Sequence, residues 1–331
     1  MNTMNTLKDK TILITGGTGS FGKNFIRFLL DQSEVKKIIV FSRDELKQSE
    51  MQREIQDVRL RFFLGDVRDL ERLRRAFFEV DVVVHAAALK QVPTLEYNPF
   101  EAVKTNIMGT QNVIDAAIDL GVEKVVLIST DKAAQPINLY GSTKQCAEKL
   151  FVAGNSYAAG RTRFSCVRYG NVIGSRGSII EMLLREKDAR EVTVTDEGMT
   201  RFWLSLDESF KLVCFALEHM VGGEIFIPKD IPSMRMGDVF AALAPNAKKK
   251  IIGIRPGEKM HEVLLTEEEA RRAVVLGKYF VVLPEYHHAV SMEKFEPYRA
   301  QGETLPDGFS FRSDTNTLQM SKEDLCAVAQ K

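Results

Sequence analysis

Thr11-Ile12-Leu13-Ile14-Thr15-Gly16-Gly17-Thr18-Gly19-Ser20-Phe21-Gly22 is the stretch that decides the fold. An apolar, β-branched run passes directly into a glycine-rich loop, and the loop into a stretch that reads as a helix over 21–30, with Ser20 at its start. Gly16, Gly19 and Gly22 form a G-x-x-G-x-x-G triplet. Glycines so spaced permit a tight turn, let backbone N–H groups approach a pyrophosphate, and bring helix against strand. A lone triplet is a weak signal, but between a strand and a helix it predicts a dinucleotide-binding loop contacted through Gly16, Thr18, Gly19, Ser20, Phe21 and Gly22.

Working outward, further apolar runs occur at 37–41, 61–64, 80–84 and 124–128. They lack the in/out alternation of a half-exposed sheet, so they predict parallel strands covered on both faces by helices. Residues 103–120 read as one such helix, closed by Gly121. Beyond Gly170 the pattern is broken by glycine, proline and charged turns at 174–177, 227–232 and 255–258. The expected fold class is therefore α/β, a Rossmann-type doubly wound parallel sheet with a smaller C-terminal α/β substrate-binding domain. The first domain is expected over 1–171, with 200–228 returning to it, and the second over 172–199 and 229–331. Lys248-Lys249-Lys250 reads as a solvated face preceding a strand.

Composition narrows the function. The 331 residues are 44% hydrophobic, ample for a packed core, and 45 basic residues balance 45 acidic ones. No global basic field exists to hold nucleic acid, while a local positive pocket for a phosphorylated ligand remains open. Residues 1–9 have no apolar core of the secretory type, and no run approaches the roughly 20 apolar residues that span a bilayer. A cytoplasmic protein with no membrane partner is expected. Cys146, Cys166, Cys214 and Cys326 lie far apart without a C-x-x-C, which fits reduced structural thiols. His219, His261 and the vicinal His287-His288 lack accompanying carboxylates in a metal pattern, so no metal is expected.

The second apolar run ends Val40-Phe41-Ser42-Arg43-Asp44-Glu45-Leu46-Lys47. An acidic side chain directly at that strand end would hold the 2′-hydroxyl of NAD, whereas Ser42 and Arg43 stand first here. Arginine at this place accommodates a 2′-phosphate, and Lys47 one turn later adds a second positive charge. NADP is the expected cofactor. The alternative is that Arg43 merely pairs with Asp44 or Glu45 in solvent.

Over nearly its whole length the chain resembles the extended short-chain dehydrogenase/reductase superfamily. Within it, it is similar to the UDP-N-acetylglucosamine 4,6-dehydratases of the 5-inverting type, which start pseudaminic acid synthesis. The strings that carry the resemblance include TGGTGSFGK (15–23), SRDELKQSEM (42–51), GDVRD (65–69), HAAALKQVP (85–93), KTNIMGT (104–110), STDKA (129–133) and NLYGSTK (138–144). RYGNVIGSRGS (168–178), MTRFW (199–203), GGEIF (222–226) and IIGIRPGEKMHE (251–262) extend it through the second half.

The resemblance implies catalytic roles. Tyr140 and Lys144 form a Y-x-x-x-K pair, one turn apart on a helix face, that would take the sugar O4 proton as hydride leaves C4. The resulting ketone acidifies the C5 proton. A base must remove it, an acid must help the C6 hydroxyl depart as water, and hydride returns to C6. In Ser129-Thr130-Asp131-Lys132 the resemblance assigns Asp131 as acid at O6 and Lys132 as base at C5, with Thr130 beside them. Hexose 4,6-dehydratases acting on dTDP-glucose carry Asp-Glu at this place, whereas this chain has Asp-Lys, as the N-acetylglucosamine branch that it resembles does. The membrane-attached retaining enzymes carry Met in place of Tyr140. A neutral Lys132 needs a lowered pKa, which burial favours and a charged Asp131 opposes. If the two only form a salt bridge, Lys132→Ala keeps substantial turnover.

Further contacts are implied along the cofactor for Ala86, Ala87 and Ala88, near the adenine for Asp66 with Val67, and beside the active-site helix for Asn106. Lys90 is implied at cofactor or substrate. Asn171, Arg201, Arg255 and Glu258 are implied at the UDP phosphates and ribose, where arginine forks suit a diphosphate. The substrate is expected to be UDP-N-acetylglucosamine and the assembly a homo-oligomer. The competing readings are a UDP-sugar 4-epimerase, a retaining 4,6-dehydratase, and a non-catalytic NADP-binding regulatory module.

Overall fold

Parallel strands bury both faces when helices cover them, and the five apolar runs follow that rule. The structure, a computed structural model, describes residues 5–175, 177–185, 190–285 and 292–329. The runs form β1 (Thr11–Thr15), β2 (Lys37–Ser42), β3 (Leu60–Leu64), β4 (Val82–His85) and β5 (Lys124–Ile128), with β6 (Arg163–Val167) beyond them. β1 and β4 are buried at every position, whereas β3, the outer strand, leaves Arg61 and Leu64 exposed. The order is β3-β2-β1-β4-β5-β6, all parallel. It reverses between β1 and β4, so the loops leaving their C-terminal ends part there and open a crevice.

The crossovers are α1 (Ser20–Gln32), α2 (Glu45–Glu54) and α3 (Leu70–Ala76), followed after β4 by α4 (Val92–Tyr97), α5 (Pro99–Ala102) and α6 (Gly109–Leu120), and after β5 by α7 (Leu139–Tyr157). α1 spans the helix expected over 21–30. Its N-cap is Gly19, which offers no side chain to the first-turn N–H groups. Gly121, at φ +69, ends α6 as expected. The single helix expected over 103–120 is corrected: Val103–Met108 is π-helical and only Gly109–Leu120 is α. The apolar spacing does not betray the extra residue that a π turn holds.

The second half departs from the expected division. Of 200–228, Thr200–Leu204 joins a three-stranded sheet with Ser233–Arg235 and Asn171–Val172, while Ile225–Pro228 pairs in parallel with β6. Strands Tyr279–Val282, Ala273–Leu276 and Glu303–Thr304 then extend the main sheet antiparallel, to ten strands among the described residues. The strands Ala273–Leu276, Tyr279–Val282 and Glu303–Thr304 therefore do not stand apart from the large sheet, as placing all of 229–331 in the second domain requires. Left uncovered, Ile225–Pro228 would present an open edge, and the hairpin with buried Phe280, Val281 and Val282 closes it. The lysine run is also corrected: Lys248–Ile251 is itself a strand, parallel to Glu191–Val194, with Lys248, Lys250 and Ile251 in solvent. A separate apolar cluster around Ile180, Leu183, Val194, Trp203 and Phe240 supports this half, apart from the main core.

Candidate active site

The crevice at the C-terminal ends of β1 and β4 is a cleft of about 1190 Å³. That exceeds the roughly 300–1,000 Å³ of a pocket for one drug-sized molecule. Gly16 has φ +67, and a Cβ there would lie 2.9 Å from the Cα and N of Ala87. The loops after β1 and β4 thus touch through backbone, and Ala86, Ala87 and Ala88 line the cleft between them. Thr18, Gly19, Ser20, Phe21 and Gly22 line the same wall around the uncapped start of α1. This cradle of small residues at a helix N-terminus fits a dinucleotide pyrophosphate. Gly16→Ala is expected to strip the purified protein of bound nicotinamide nucleotide, read by absorbance and mass of the released ligand, because it adds backbone overlap to a left-handed strain of about 1–2 kcal/mol.

Ser42, Arg43, Lys47 and Val67 line the adjoining end. The Arg43 guanidinium is 3.6 Å from Asp66, and Lys47 is paired at 2.8 Å with Asp44, which also caps α2. Arg43 therefore pairs with a carboxylate other than the two neighbours that the solvent reading offers. Asp66 itself is not on the cleft wall. Its carboxylate is turned to Arg68, which donates through Nε and Nη2, and the adjoining Gly65 and Val67 form the surface instead.

α7 brings Tyr140 and Lys144 to the cleft opposite the glycine loop. Asn138 caps the helix, its Oδ1 accepting from the Gly141 N–H at 2.8 Å, and its Nδ2 donates to the Gly257 carbonyl at 2.8 Å. Gly141 is the contact that matters most, since a Cβ there would fall 2.2 Å from the Lys132 carbonyl oxygen. The two strings STDKA and NLYGSTK can meet only because that position is glycine. Burial pushes Tyr140 up to about 12, against the lowering effects of the Lys132 charge and a hydrogen bond with Thr130. Burial pushes Lys144 down to about 8, with Glu148 pulling the other way.

Thr130 and Lys132 line the cleft, while Asp131 is fully buried behind them. Asp131 Oδ1 accepts from Thr130 Oγ1 at 2.9 Å and from Lys132 Nζ at 3.0 Å, and its Oδ2 has no hydrogen-bond partner among the described residues. Asp131 does not itself line the cleft, whereas the Thr130 hydroxyl that donates to it does. Glu262, which sequence reasoning gives no role, lies 3.5 Å from Lys132 Nζ and 3.7 Å from Arg201 Nε. Burial works against the Lys132 ammonium, yet Asp131 and Glu262 outweigh it and hold its pKa above the ordinary lysine value. In this state Lys132 carries its proton, so the lowering that burial alone would give does not prevail.

Asn106, implied beside the active-site helix, is bonded to that helix as an internal brace. It is buried, its Oδ1 accepts from the Leu89 N–H, and its Nδ2 donates to the Leu89 carbonyl and to Thr143 Oγ1, at 2.8, 2.9 and 3.0 Å. It ties the loop after β4 to α7. His85 faces the core between Thr15 and Thr110, and burial pushes it down to about 3, leaving it neutral. Lys90 lines the cleft with its pKa lowered by burial. Asn171, Arg255 and Glu258 line the outer cleft, Arg255 half-exposed and 4.0 Å from Glu258. Arg201 also lines it, donating to the Thr200 and Met260 carbonyls at 2.7 and 3.2 Å. His219 contacts the Phe215 carbonyl and His261 the Thr200 hydroxyl, while His287 and His288 lie outside the described residues. Among the described residues no cluster of metal-ligating side chains occurs, and no helix is long and apolar enough to cross a membrane.

Sequence reasoning also misses the brace beneath α7. Glu148, two turns beyond Tyr140, accepts from Ser129 Oγ at 2.6 Å and from Arg168 Nη2 at 2.6 Å. Arg168, fully buried, also donates to Glu269 at 2.8 Å and to the Leu264 carbonyl at 3.0 Å. Only the position of Arg168 at the head of RYGNVIGSRGS marks it.

Residues 12–284 match the model of a family described as polysaccharide biosynthesis protein. The UDP-N-acetylglucosamine 4,6-dehydratase (inverting) of Campylobacter jejuni is 49% identical over 324 residues, covering 96% of this chain and 97% of that protein. Among solved structures, Pen from Bacillus thuringiensis superposes with a TM-score of 0.86 at 38% identity, covering 98% of this chain and 99% of that one. The UDP-glucose 4-epimerase of Thermus thermophilus, solved in complex with NAD, has a TM-score of 0.65 at 25% identity, covering 75% and 88%.

Proposed function

The chain belongs to the polysaccharide biosynthesis protein family that holds the inverting UDP-N-acetylglucosamine 4,6-dehydratases, and from that premise we propose that it removes water from UDP-N-acetylglucosamine with inversion at C5, giving a 6-deoxy-4-keto sugar. The observation that carries this reading is one cleft wall on which Thr130 and Lys132 stand beside Tyr140 and Lys144, facing the glycine loop.

A bound nicotinamide supplies the hydride acceptor, a positive charge and the returning hydride; Gly16, Thr18, Gly19 and Ala87 would hold its dinucleotide. Tyr140 takes the O4 proton, helped by the charges of Lys144 and Lys132. Lys132 becomes a base by passing its proton to Asp131, 3.0 Å away. That one transfer makes a neutral amine facing C5 and a neutral acid behind Thr130. Lys132 then removes the C5 proton while Asp131, through the Thr130 hydroxyl, protonates the leaving O6. The ion pair is restored, and no proton need come from solvent for the elimination.

We read the cofactor as NADP. Arg43 and Lys47 need only leave Asp66 and Asp44 to meet a 2′-phosphate, and a charge-assisted contact of about 1.5–3 kcal/mol favours NADP over NAD by roughly tenfold or more. Equilibrium titration of the apoprotein with both nucleotides checks this, and tighter NAD binding overturns it. The reaction itself is tested by proton NMR of the protein with UDP-N-acetylglucosamine in deuterated buffer. A new C6 methyl signal with deuterium at C5 and L-configured ring couplings is the expected result. Retained D-configuration overturns the inversion, and C4 epimerisation without a methyl signal replaces the dehydratase by an epimerase.

A further inference from the structure

We propose that Glu262 is a positioning residue for the C5 proton transfer: it holds Lys132 Nζ at the cleft wall and sets the pH at which that amine loses to solvent the proton it must pass to Asp131. The inference rests on the dehydratase reading above. Glu262 reaches the site from far along the chain, and its backbone is clamped there. Its N–H donates to Ser313 Oγ at 2.9 Å, the Ser313 N–H donates back to its carbonyl at 2.9 Å, and Ser313 Oγ is 2.6 Å from Thr200 Oγ1. The side chain, 2% exposed, has little freedom to turn elsewhere.

Its two oxygens divide the local cations. Oε1 lies 3.5 Å from Lys132 Nζ and 3.7 Å from Arg201 Nε. Oε2 is 3.9 Å from Lys259 Nζ and has no hydrogen-bond partner among the described residues, a condition it shares with Asp131 Oδ2. A buried carboxylate oxygen left unpartnered is costly. The oxygens beside Lys132 Nζ are the other two, Asp131 Oδ1 and Glu262 Oε1, so two buried carboxylates flank one lysine. The groups facing Lys132 are Asp131 from its own turn, Tyr140 from α7, Arg201 from Thr200–Leu204, and Lys259 and Glu262 from the segment before Val263–Leu265; His261 is turned to Thr200. Without Glu262 a single carboxylate faces three cations, and Lys132 gives up its proton at lower pH.

Glu262→Gln keeps the shape and removes the charge. The pH dependence of amine acetylation at Lys132, followed by peptide mass spectrometry on the holoprotein, is expected to move to lower pH by about one unit or more, as loss of an opposite charge within about 4–6 Å predicts. The alkaline limb of kcat for dehydration, where the proton shared by Lys132 and Asp131 is lost to solvent, is expected to move the same way, with KM changing less than kcat. Glu262→Asp, shorter but charged, is expected to move both by a smaller amount, and it carries the test if the glutamine variant does not fold. Labelling and rate profiles that coincide with those of the unaltered protein overturn the proposal. Labelling needs no turnover, so what it says of Glu262 stands apart from the reaction: absence of dehydration by the unaltered protein sinks the dehydratase reading instead.

Discussion

Lys132→Met, mixed as holoprotein with UDP-N-acetylglucosamine, is expected to form reduced nicotinamide without forming product. Hydride departure from C4 relies on Tyr140 and Lys144, which α7 carries and which this substitution leaves in place while removing only the help of the Lys132 charge. Elimination relies on the amine that the three-residue turn Asp131–Ala133 presents to the cleft. Losing a positioned general base costs about 10²–10⁴ in rate. Methyl formation by NMR is therefore expected to fall by roughly a thousandfold, while the near-ultraviolet absorbance of reduced nicotinamide rises and stays. Tyr140→Phe is expected to suppress both signals. If Lys132→Met keeps product formation within about tenfold of the unaltered rate, below the range of such catalysis, Lys132 is only the salt-bridge partner of Asp131.

Arg168→Met is expected to be the most destabilising single substitution near the site. Arg168 bonds with both Glu148 and Glu269, and removing it strands two carboxylates that α7 and the segment Glu267–Ala270 hold against the core. Breaking a buried ion pair from one side costs about 3–5 kcal/mol. For a chain of this size that lowers Tm by roughly 10 °C. The sign with pH also follows. Burial opposes the Glu269 carboxylate, but Arg168 outweighs it and holds the group down to about 2, against an ordinary 4.5. The stability it contributes is fully present above pH 4.5 and is lost as pH falls toward 2. Thermal melts across that window are expected to fall steeply for the unaltered protein and less steeply for Arg168→Met. Parallel slopes would show that the pair contributes nothing.

The parts of the molecule that are legible in sequence are those whose signal is local. The strand before Gly16, the helix after it and the Tyr140–Lys144 spacing are each contained within a few residues, and strand and helix both form where the pattern places them. Gly121 announces the end of α6 by the same logic. What escapes depends on partners distant in the chain. Nothing near residue 262 says that its carboxylate will face Lys132, and Glu148 looks like a surface residue until Arg168 is placed beneath it. Lys248–Ile251 does not read as a strand because an edge strand with solvated side chains has the composition of a loop. In sequence Asp131 and Lys132 are neighbours competing for one site, whereas the turn buries one behind the other.

The π-helical stretch Val103–Met108 acts as a phase shifter. Each residue of a regular helix advances about 100° around the axis, so one extra residue resets which direction every later side chain faces. Within the stretch Asn106 points at the loop after β4 and at α7; beyond it, Val113, Ile114, Ala116 and Ala117 face the core. No uninterrupted helix from Pro99 to Leu120 satisfies both demands. The segment is thus more tolerant of a changed side chain than of a changed length. Removing one residue from it would leave every apolar contact available in composition and rotate half of them into water.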